Sequence, residues 1–166
     1  MLDPCSIIRV QTWDSEAIPP SAVEEVLGVA WPKQNGAVAR GRVDVIWVGP
    51  TDWLVVADDP EATVWQQRLD TTFQGSNFRT TNVSQAFVRV SINGLSEVRD
   101  LLAKGCALDL YPALFPPDRA ARTRFAGMPV ILNCTGASTF QCIVQLSYAD
   151  FLLAWLADAS IEFSCP

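Results

Sequence analysis

The order of its predicted elements constrains the fold of this chain more than any other feature. A strand near residues 5–10 precedes a helix, a hairpin and a second helix, and a strand near 83–92 begins the same series again. Hairpins supply antiparallel strand pairs, and amphipathic helices bury their apolar faces against a sheet. The sequence therefore predicts an α+β fold with helices packed on a mostly antiparallel sheet. We expect one domain over residues 1–166, with two β-α-β-β-α halves at about 1–74 and 78–160 joined by a linker at 74–77.

Two hairpins carry the strand prediction. Alternating apolar residues at 43–48 and 53–57 flank Gly49-Pro50-Thr51-Asp52, a run of turn-forming residues. A second hairpin joins 130–132 to 140–146 through Thr135-Gly136-Ala137-Ser138. Pro129 has no backbone N–H, which favours an edge strand or a bulge just before this hairpin.

Four amphipathic helices are predicted from apolar residues spaced three and four apart. Ser21 with Glu24, and Ser147 with Asp150, have the spacing of a capping box at a helix start. The four apolar faces are predicted to comprise Val23, Val26, Leu27 and Ala30; Ala62, Trp65, Leu69 and Phe73; Leu95, Val98, Leu101 and Leu102; and Tyr148, Phe151, Leu152, Trp155 and Leu156.

Glycine and proline mark the other helix boundaries. Gly28 is expected to end the first helix, and Pro60 lies near the first position of the second. The third helix is predicted to end at Lys104-Gly105, where a cation in the last turn precedes a C′ glycine.

The charge balance argues against a nucleic acid partner. The chain has 12 Lys and Arg residues against 18 Asp and Glu residues, a net charge of −6, so few cations could displace counterions from a phosphate backbone. The N-terminus lacks a basic region followed by an apolar stretch, and no run approaches the ~18 apolar residues that span a bilayer. We therefore expect no nucleic acid, no membrane and no export.

The residue inventory also narrows the chemistry. The sequence contains no histidine, which excludes Ser-His and Cys-His nucleophilic catalysis and histidine general-base chemistry. Its 5 cysteines include no Cys-x-x-Cys pair and indicate neither a disulfide framework nor a zinc site. Phosphate-binding loops of the G-x-x-x-x-G-K-[ST] and G-x-G-x-x-G types are absent from the sequence. We expect no catalytic residue, metal or cofactor site in this chain.

Two groups of residues are candidates for contact with a partner. Arg119, Arg122 and Arg124 form a local cluster of positive charge in an acidic chain, and arginine forks bind carboxylates in a bidentate manner. An anionic ligand or an acidic partner loop could bind there, and a solvated loop is the alternative. Trp31 and Trp53 are the interface candidates among the 6 tryptophans, because amphipathic rings favour partner-buried positions.

Three segments resemble a known family. Residues 47–56, which read W-V-G-P-T-D-W-L-V-V, are similar to the W-x-G-P-[DT]-[ED]-W-L segment of sarcosine oxidase gamma subunits. The run R-D-L-L-A-K-G-C-A-L-D-L at 99–110, followed by Phe115-Pro116-Pro117, resembles the family's R-D-L-L-x-K-G-[CS]-x-[LI]-D-L. The ending S-Y-A-D-F-L-L-A-W-L at 147–156 is also similar, so the resemblance covers roughly Val23 to Ala159.

The resemblance implies a fold like the folate-binding domain of the glycine cleavage T-protein, in a shortened form. It implies a non-catalytic, cytoplasmic gamma subunit whose partners are the alpha and beta subunits of a heterotetrameric sarcosine oxidase. Such a complex oxidises sarcosine to glycine with one-carbon transfer to tetrahydrofolate, and FAD, FMN, NAD and tetrahydrofolate are expected on the other subunits. The Lys104 to Asp109 turn is then structural, with Lys104 as a further possible interface residue and the Asp109 side chain capping nearby backbone.

The resemblance is incomplete, and alternatives remain open. Tyr111 and Ser84-Gln85 stand where family members often have histidine, so a histidine-dependent role at these points is not expected. The gamma subunit of a related N-methyl amino acid dehydrogenase would look alike. A stand-alone folate-binding module, with one of the three arginines meeting the glutamate tail, is a second alternative. An enzyme that uses Cys106 or Tyr111 without histidine is a third.

Overall fold

The computed structural model describes residues 2–3, 5–14, 19–58, 61–94 and 97–163. In chain order the elements are β1 (Leu2–Asp3), β2 (Ser6–Thr12), α1 (Ser21–Leu27), β3 (Val38–Ala39), β4 (Asp44–Gly49), β5 (Asp52–Ala57), α2 (Ala62–Thr72), β6 (Phe78–Asn82), β7 (Phe87–Asn93), α3 (Val98–Ala103), β8 (Arg119–Phe125), β9 (Met128–Gly136), β10 (Thr139–Gln145) and α4 (Ala149–Ser160), with short 3-10 helices at Leu146–Tyr148 and Ile161–Phe163. None of the helices in these ranges has the length and apolar character needed to cross a bilayer.

The chain folds as two compact units. The N-terminal unit comprises Pro4–Ala86, and the C-terminal unit comprises Met1–Asp3 with Phe87–Pro166. The division between them therefore follows Ala86, whereas the sequence had placed the division between its halves at 74–78. The segment Phe78–Asn82 lies in the sheet of the N-terminal unit, where it pairs with β2.

Each unit contains one antiparallel five-stranded sheet. The strand orders are β3-β4-β5-β2-β6 in the N-terminal unit and β1-β7-β10-β9-β8 in the C-terminal unit. In the N-terminal unit, β5 of the β4–β5 hairpin pairs with β2. In the C-terminal unit, β10 of the β9–β10 hairpin pairs with β7 in the same way. The two orders are therefore equivalent, and the α+β fold with two repeated antiparallel halves is confirmed.

Helices cover one face of each sheet. In the N-terminal unit, α1 and α2 contribute Val23, Leu27, Trp65 and Leu69 to a buried cluster with strand residues such as Val10. In the C-terminal unit, α3 and α4 pack on alternating residues of the central strands. That cluster includes Leu101, Leu102 and Leu152 from the helices and Val90, Leu132, Phe140, Cys142 and Val144 from the strands.

None of the four edge strands, β1, β3, β6 and β8, was predicted, and the two longer ones are β6 and β8. β6 has the sequence FRTTN and β8 has RAARTRF, and each lies at one end of its strand order. Because β8 pairs along β9, Pro129 lies in an interior strand, and the prediction of an edge strand there is wrong. The proline is tolerated because it is near the start of β9, one position before the residues that pair with β10.

The predicted helix starts also need correction. Neither Ser21 nor Ser147 caps a helix: Pro20 and Tyr148 occupy the N-cap positions, without a side-chain cap bond. The Glu24 carboxylate instead accepts a hydrogen bond from the Trp31 backbone N–H at 2.9 Å. Gly28 does end α1, with a φ of 72°. The predictions for Asp59-Pro60 and Leu95 lie outside the residues whose packing the structure describes.

The apolar face of α4 is narrower than predicted. Ala149, Leu152 and Ala159 are its buried residues. Tyr148 and Phe151, which were expected to face inward, are 38% and 55% exposed. The difference arises because the Leu152 side of the helix contacts the sheet, and Phe151 lies about 100° around the helix axis from it.

Candidate functional site

The three candidate arginines lie on strand β8 and not in a loop. Arg119, Arg122 and Arg124 are all exposed, and β8 forms one end of the strand order. Side chains alternate along a strand, so Arg122 and Arg124 share one face while Arg119 points to the other. Arg124 donates a hydrogen bond to the Gly127 carbonyl at 3.3 Å. The structure therefore brings three cations to one strand at the sheet edge.

Arg99 organises the segment that follows α3. Its guanidinium donates to the carbonyls of Leu110 at 2.6 Å and Phe115 at 3.1 Å. It also donates to the Ala137 carbonyl at 3.1 Å and stacks over the Phe140 ring. One side chain thus fixes two points of the 104–118 segment to the β9–β10 hairpin. Sequence reasoning missed this role, although Arg99 opens the R-D-L-L run that carries the family resemblance.

The Lys104 side chain makes its contacts within the C-terminal unit. Its ammonium donates to the Ala159 carbonyl at 3.2 Å and pairs with Glu162 at 3.0 Å, near the end of α4. A cation at this position interacts favourably with the helix dipole. Lys104 is nevertheless exposed, so its interface role stays a prediction.

Gly105 has a packing role and does not adopt the left-handed conformation that is common for a C′ glycine. Positive φ values occur at Gly28, Gly36, Gly75 and Gly127, and Gly105 is not among these glycines. A Cβ atom at Gly105 would lie 2.8 Å from the Trp155 ring and 3.1 Å from the Phe125 ring. The chain needs glycine here because two aromatic rings approach the backbone.

Trp31 and Trp53 lie in the core of the N-terminal unit. Both are 4% exposed, and their ring centroids are 5.3 Å apart. The Trp53 indole donates to the Pro32 carbonyl at 3.0 Å, while the buried Trp31 indole N–H has no acceptor in the described chain. Both rings therefore serve mainly in packing, and contact with a partner stays a prediction for them.

The G-P-T-D-W turn holds a charged pair. Asp52 is 6% exposed and accepts two hydrogen bonds from Arg9 on the neighbouring strand, at 2.8 Å to Nε and 2.6 Å to a terminal nitrogen. This side-chain hydrogen bond raises the pKa of the Arg9 guanidinium, against the opposing effect of burial. Asp52 thus fixes the hairpin to strand β2 and is not available as a general base.

Cys106 and Tyr111, the two candidates for catalysis without histidine, lie in different environments: Cys106 is buried and Tyr111 is exposed. Cys106 is buried, and its sulfur lies 3.6 Å from the Thr123 hydroxyl and accepts from the Leu108 N–H. Burial, with a smaller contribution from Cys106, raises the pKa of the Cys142 thiol to about 12. Tyr111 is 67% exposed, and its backbone N–H donates to the Asp109 carboxylate at 2.9 Å, the capping contact predicted for Asp109. Within the described ranges, no three Cys, Asp or Glu side chains are grouped to hold a metal.

An apolar groove of about 400 Å³ lies in the C-terminal unit between β7, α3 and α4. Its lining includes Val90, Ile92, Leu101, Leu153 and Leu156, together with the charged residue Glu97. None of the three arginines of β8 is among the lining residues, so an anionic tail of a ligand in this groove would not meet them.

Comparison with known proteins identifies the family. The sequence matches the profile described as "Sarcosine oxidase, gamma subunit family" over residues 14–162. The chain belongs to the sarcosine oxidase gamma subunit family. A family member from Arthrobacter sp is 30% identical over 148 residues, which cover 88% of this chain and 71% of that protein. Another, from Corynebacterium sp. strain U-96, is 31% identical over 149 residues, covering 87% of this chain and 70% of that protein.

Solved structures agree with the family assignment. One solved structure is heterotetrameric sarcosine oxidase from Corynebacterium sp. U-96 in complex with pyrrole 2-carboxylate. A chain of that structure matches this one with a TM-score of 0.85 and 25% identity, and the match covers 99% of this chain and 83% of that chain. Glycine cleavage system aminomethyltransferase T from Bartonella henselae matches 93% of this chain over 43% of its length, with a TM-score of 0.65 and 13% identity. The second likeness shows the fold alone and confirms the predicted resemblance to the T-protein fold.

Proposed function

We propose that this chain is the gamma subunit of a cytoplasmic heterotetrameric sarcosine oxidase and contributes no catalytic residue of its own. The observation that carries the proposal is the match of 99% of the chain, at a TM-score of 0.85, to a chain of a heterotetrameric sarcosine oxidase. The complex would oxidise sarcosine to glycine and transfer the one-carbon unit to tetrahydrofolate. FAD, FMN, NAD and tetrahydrofolate would bind to the other subunits, among which alpha and beta are the direct partners.

The polar residues of the family-like segments support a structural role. Arg99 donates its hydrogen bonds to backbone carbonyls, and Asp52 is engaged by Arg9. Asp109 accepts from the Tyr111 backbone. Because these groups are committed to holding strands and turns, they favour a subunit that presents a stable surface to its partners.

The arginines of β8 are part of this proposal. Three exposed guanidinium groups on an edge strand could bind the carboxylates of an acidic partner segment, and bidentate arginine–carboxylate pairs are strong and specific. Lys104, Trp31 and Trp53 are the other candidates for contact, with less exposed surface to offer in the case of the two tryptophans.

Co-expression tests the proposed function. The tagged chain is produced with candidate alpha and beta subunits, captured, and examined by flavin absorption and by sarcosine oxidation. We expect a yellow complex that oxidises sarcosine and a colourless, inactive chain when it is produced alone. Sarcosine oxidation by the isolated chain, or failure to capture any flavin subunit, would contradict the proposal. Assaying the complex with other N-methyl amino acids distinguishes sarcosine oxidase from a related dehydrogenase.

A further inference from the structure

The most exposed tryptophan of the described chain lies beside an arginine at the edge of the N-terminal unit. Trp13 follows β2 and is 74% exposed. The Arg79 guanidinium carbon, from β6, lies 5.6 Å from the centroid of its ring. The guanidinium is attracted to the ring face in a cation–π contact of this kind, and most of the Trp13 side chain stays accessible to a ligand. Sequence reasoning had favoured Trp31 and Trp53, which the fold buries.

A small polar pocket accompanies this pair. It has a volume of about 190 Å³ and is lined by Gln11, Thr12, Trp13, Arg79 and Thr81. Arg79, Gln11 and Thr81 share one face of the sheet by strand register, and their guanidinium, amide and hydroxyl groups can donate hydrogen bonds to a carboxylate. The pocket is smaller than the roughly 300–1,000 Å³ typical of small-molecule sites, which favours a side-chain-sized group.

The two arginines on this face of the sheet differ in their partners. Arg9 and Gln11 lie two residues apart on β2, and Gln11 pairs in register with Arg79 on β6. The Arg9 guanidinium is held by the Asp52 carboxylate. No carboxylate within the described ranges forms an ion pair with Arg79. Arg79 therefore has donors available for an acid from outside the chain.

The strand that carries Arg79 is open on one side. β6 forms one end of the strand order, so no further strand of the described chain pairs with its outer edge. Such an edge can accept an extended segment through backbone hydrogen bonds. Tryptophan and arginine are also the residue types most enriched among interface residues that dominate binding energy.

We infer that Trp13, Arg79 and the outer edge of β6 form a docking site for an extended acidic segment of a partner subunit. The inference rests on the proposed function, because the partner is a subunit of the same complex. A carboxylate of that segment occupies the pocket and binds Arg79, an apolar part covers the Trp13 ring, and its backbone lies along β6. The Arg79 guanidinium, which forms no ion pair within the described residues, favours a carboxylate on that segment through local charge complementarity.

Binding of full-length variants to purified partner subunits tests the inference. Trp13→Ala and Arg79→Glu are expected to weaken binding by about 10–100-fold, the range for residues that dominate an interface. Arg79→Gln should weaken it less and reduce its dependence on salt concentration. Arg68→Ala is the matched control, since this exposed arginine stacks on Trp65 at 5.1 Å elsewhere in the same unit. It should bind like the unaltered chain.

The outcomes separate this inference from the proposed function. If the unaltered chain does not bind the partner subunits, the proposed function fails and the docking site fails with it. If the unaltered chain binds and Trp13→Ala and Arg79→Glu bind equally well, the docking site alone is refuted. Saturable binding of sodium glutarate that Arg79→Gln abolishes, with subunit binding unchanged, would assign the pocket to a small carboxylate and also overturn the inference. Because both side chains are exposed, the variants should melt at the same temperature as the unaltered chain. Circular dichroism checks this and so excludes misfolding as the cause of weaker binding.

Discussion

Replacing Gly105 tests whether this position is fixed by packing or by backbone conformation. The added methyl group of Gly105→Ala would meet the Trp155 ring at 2.8 Å and the Phe125 ring at 3.1 Å. These two rings are in edge-to-face contact with centroids 4.8 Å apart, so neither can move without disturbing the other. Overpacking of this kind costs about 1–3 kcal/mol. Alanine recovers about 0.5–1 kcal/mol because it restricts the unfolded chain more than glycine does.

We therefore expect a net destabilisation of about 1–2 kcal/mol for Gly105→Ala. For a chain of this length it corresponds to a melting temperature lower by roughly 2–8 °C. Circular dichroism at 222 nm measures this shift independently of tryptophan fluorescence, which matters because the partner residue is Trp155. The double variant Gly105→Ala/Trp155→Phe removes the ring atoms closest to the new methyl group. It should be more stable than the sum of the two single changes predicts, by about 1 kcal/mol.

Asparagine substitutions separate the two explanations. A glycine required for a left-handed backbone is replaced better by asparagine than by alanine. Gly75 is the control, because its φ is 79° and nothing lies within 4 Å of an added Cβ. Asparagine should be the milder change at Gly75 and at least as harmful as alanine at Gly105. Greater stability of Gly105→Asn than of Gly105→Ala, or no loss in either variant, would refute the packing argument.

Three further predictions concern Arg99, the Arg9–Asp52 pair and the buried thiol of Cys142. Arg99→Ala should lower the free energy of unfolding by about 2–4 kcal/mol, because it removes charged donors from several carbonyls. Urea titration measures this loss, and the stability of Arg99→Lys should lie between that of the unaltered chain and that of Arg99→Ala. Asp52→Ala should lower the free energy of unfolding by about 1–2 kcal/mol, a modest figure because the Arg9 side chain is 37% exposed and solvent screens the pair. Urea titration at high salt should show a smaller loss. Burial raises the pKa of Cys142 from 9.0 to about 12. The unfolded thiol loses its proton first as pH rises, so the stability contribution is complete below pH 9 and falls between pH 9 and 12. Melting temperatures of Cys142→Ala should decline less over this interval, and an equal decline would contradict the assignment.

The sequence predicted the elements that bury apolar side chains on a regular period. β4, β5, β9 and β10 were recognised from apolar runs between turn residues, although β5 is buried along its whole length and not on alternate residues, and the four helices were recognised from apolar spacing. The edge strands β6 and β8 were missed because their stability comes from pairing with a neighbour, while their own residues are mostly polar. Capping boxes were overestimated, since serine at a helix start can also occupy the first turn when another residue precedes it.

The candidate site was harder to predict because exposure depends on the fold. The six tryptophans have the same side chain, and it is mainly the sheet order that separates Trp13, which follows β2, from Trp53 inside β5. A partial signal was available: Trp13 stands between Thr12 and Asp14, whereas Trp53 begins an apolar run. The pairing of Gln11 with Arg79 joins positions 68 residues apart and depends on strand register, which local patterns do not specify.

The residues that carry the family resemblance and the residues of the proposed docking site lie in different places. Arg99, Asp52 and Gly105 make internal contacts that hold the hairpins and the 104–118 segment of this chain. Trp13 and Arg79 contribute little to that internal framework and are exposed at a sheet edge. Changes at the first group should therefore reduce stability and partner binding together. Changes at the second should reduce partner binding while the melting temperature stays constant, which makes the pair the more direct probe of assembly.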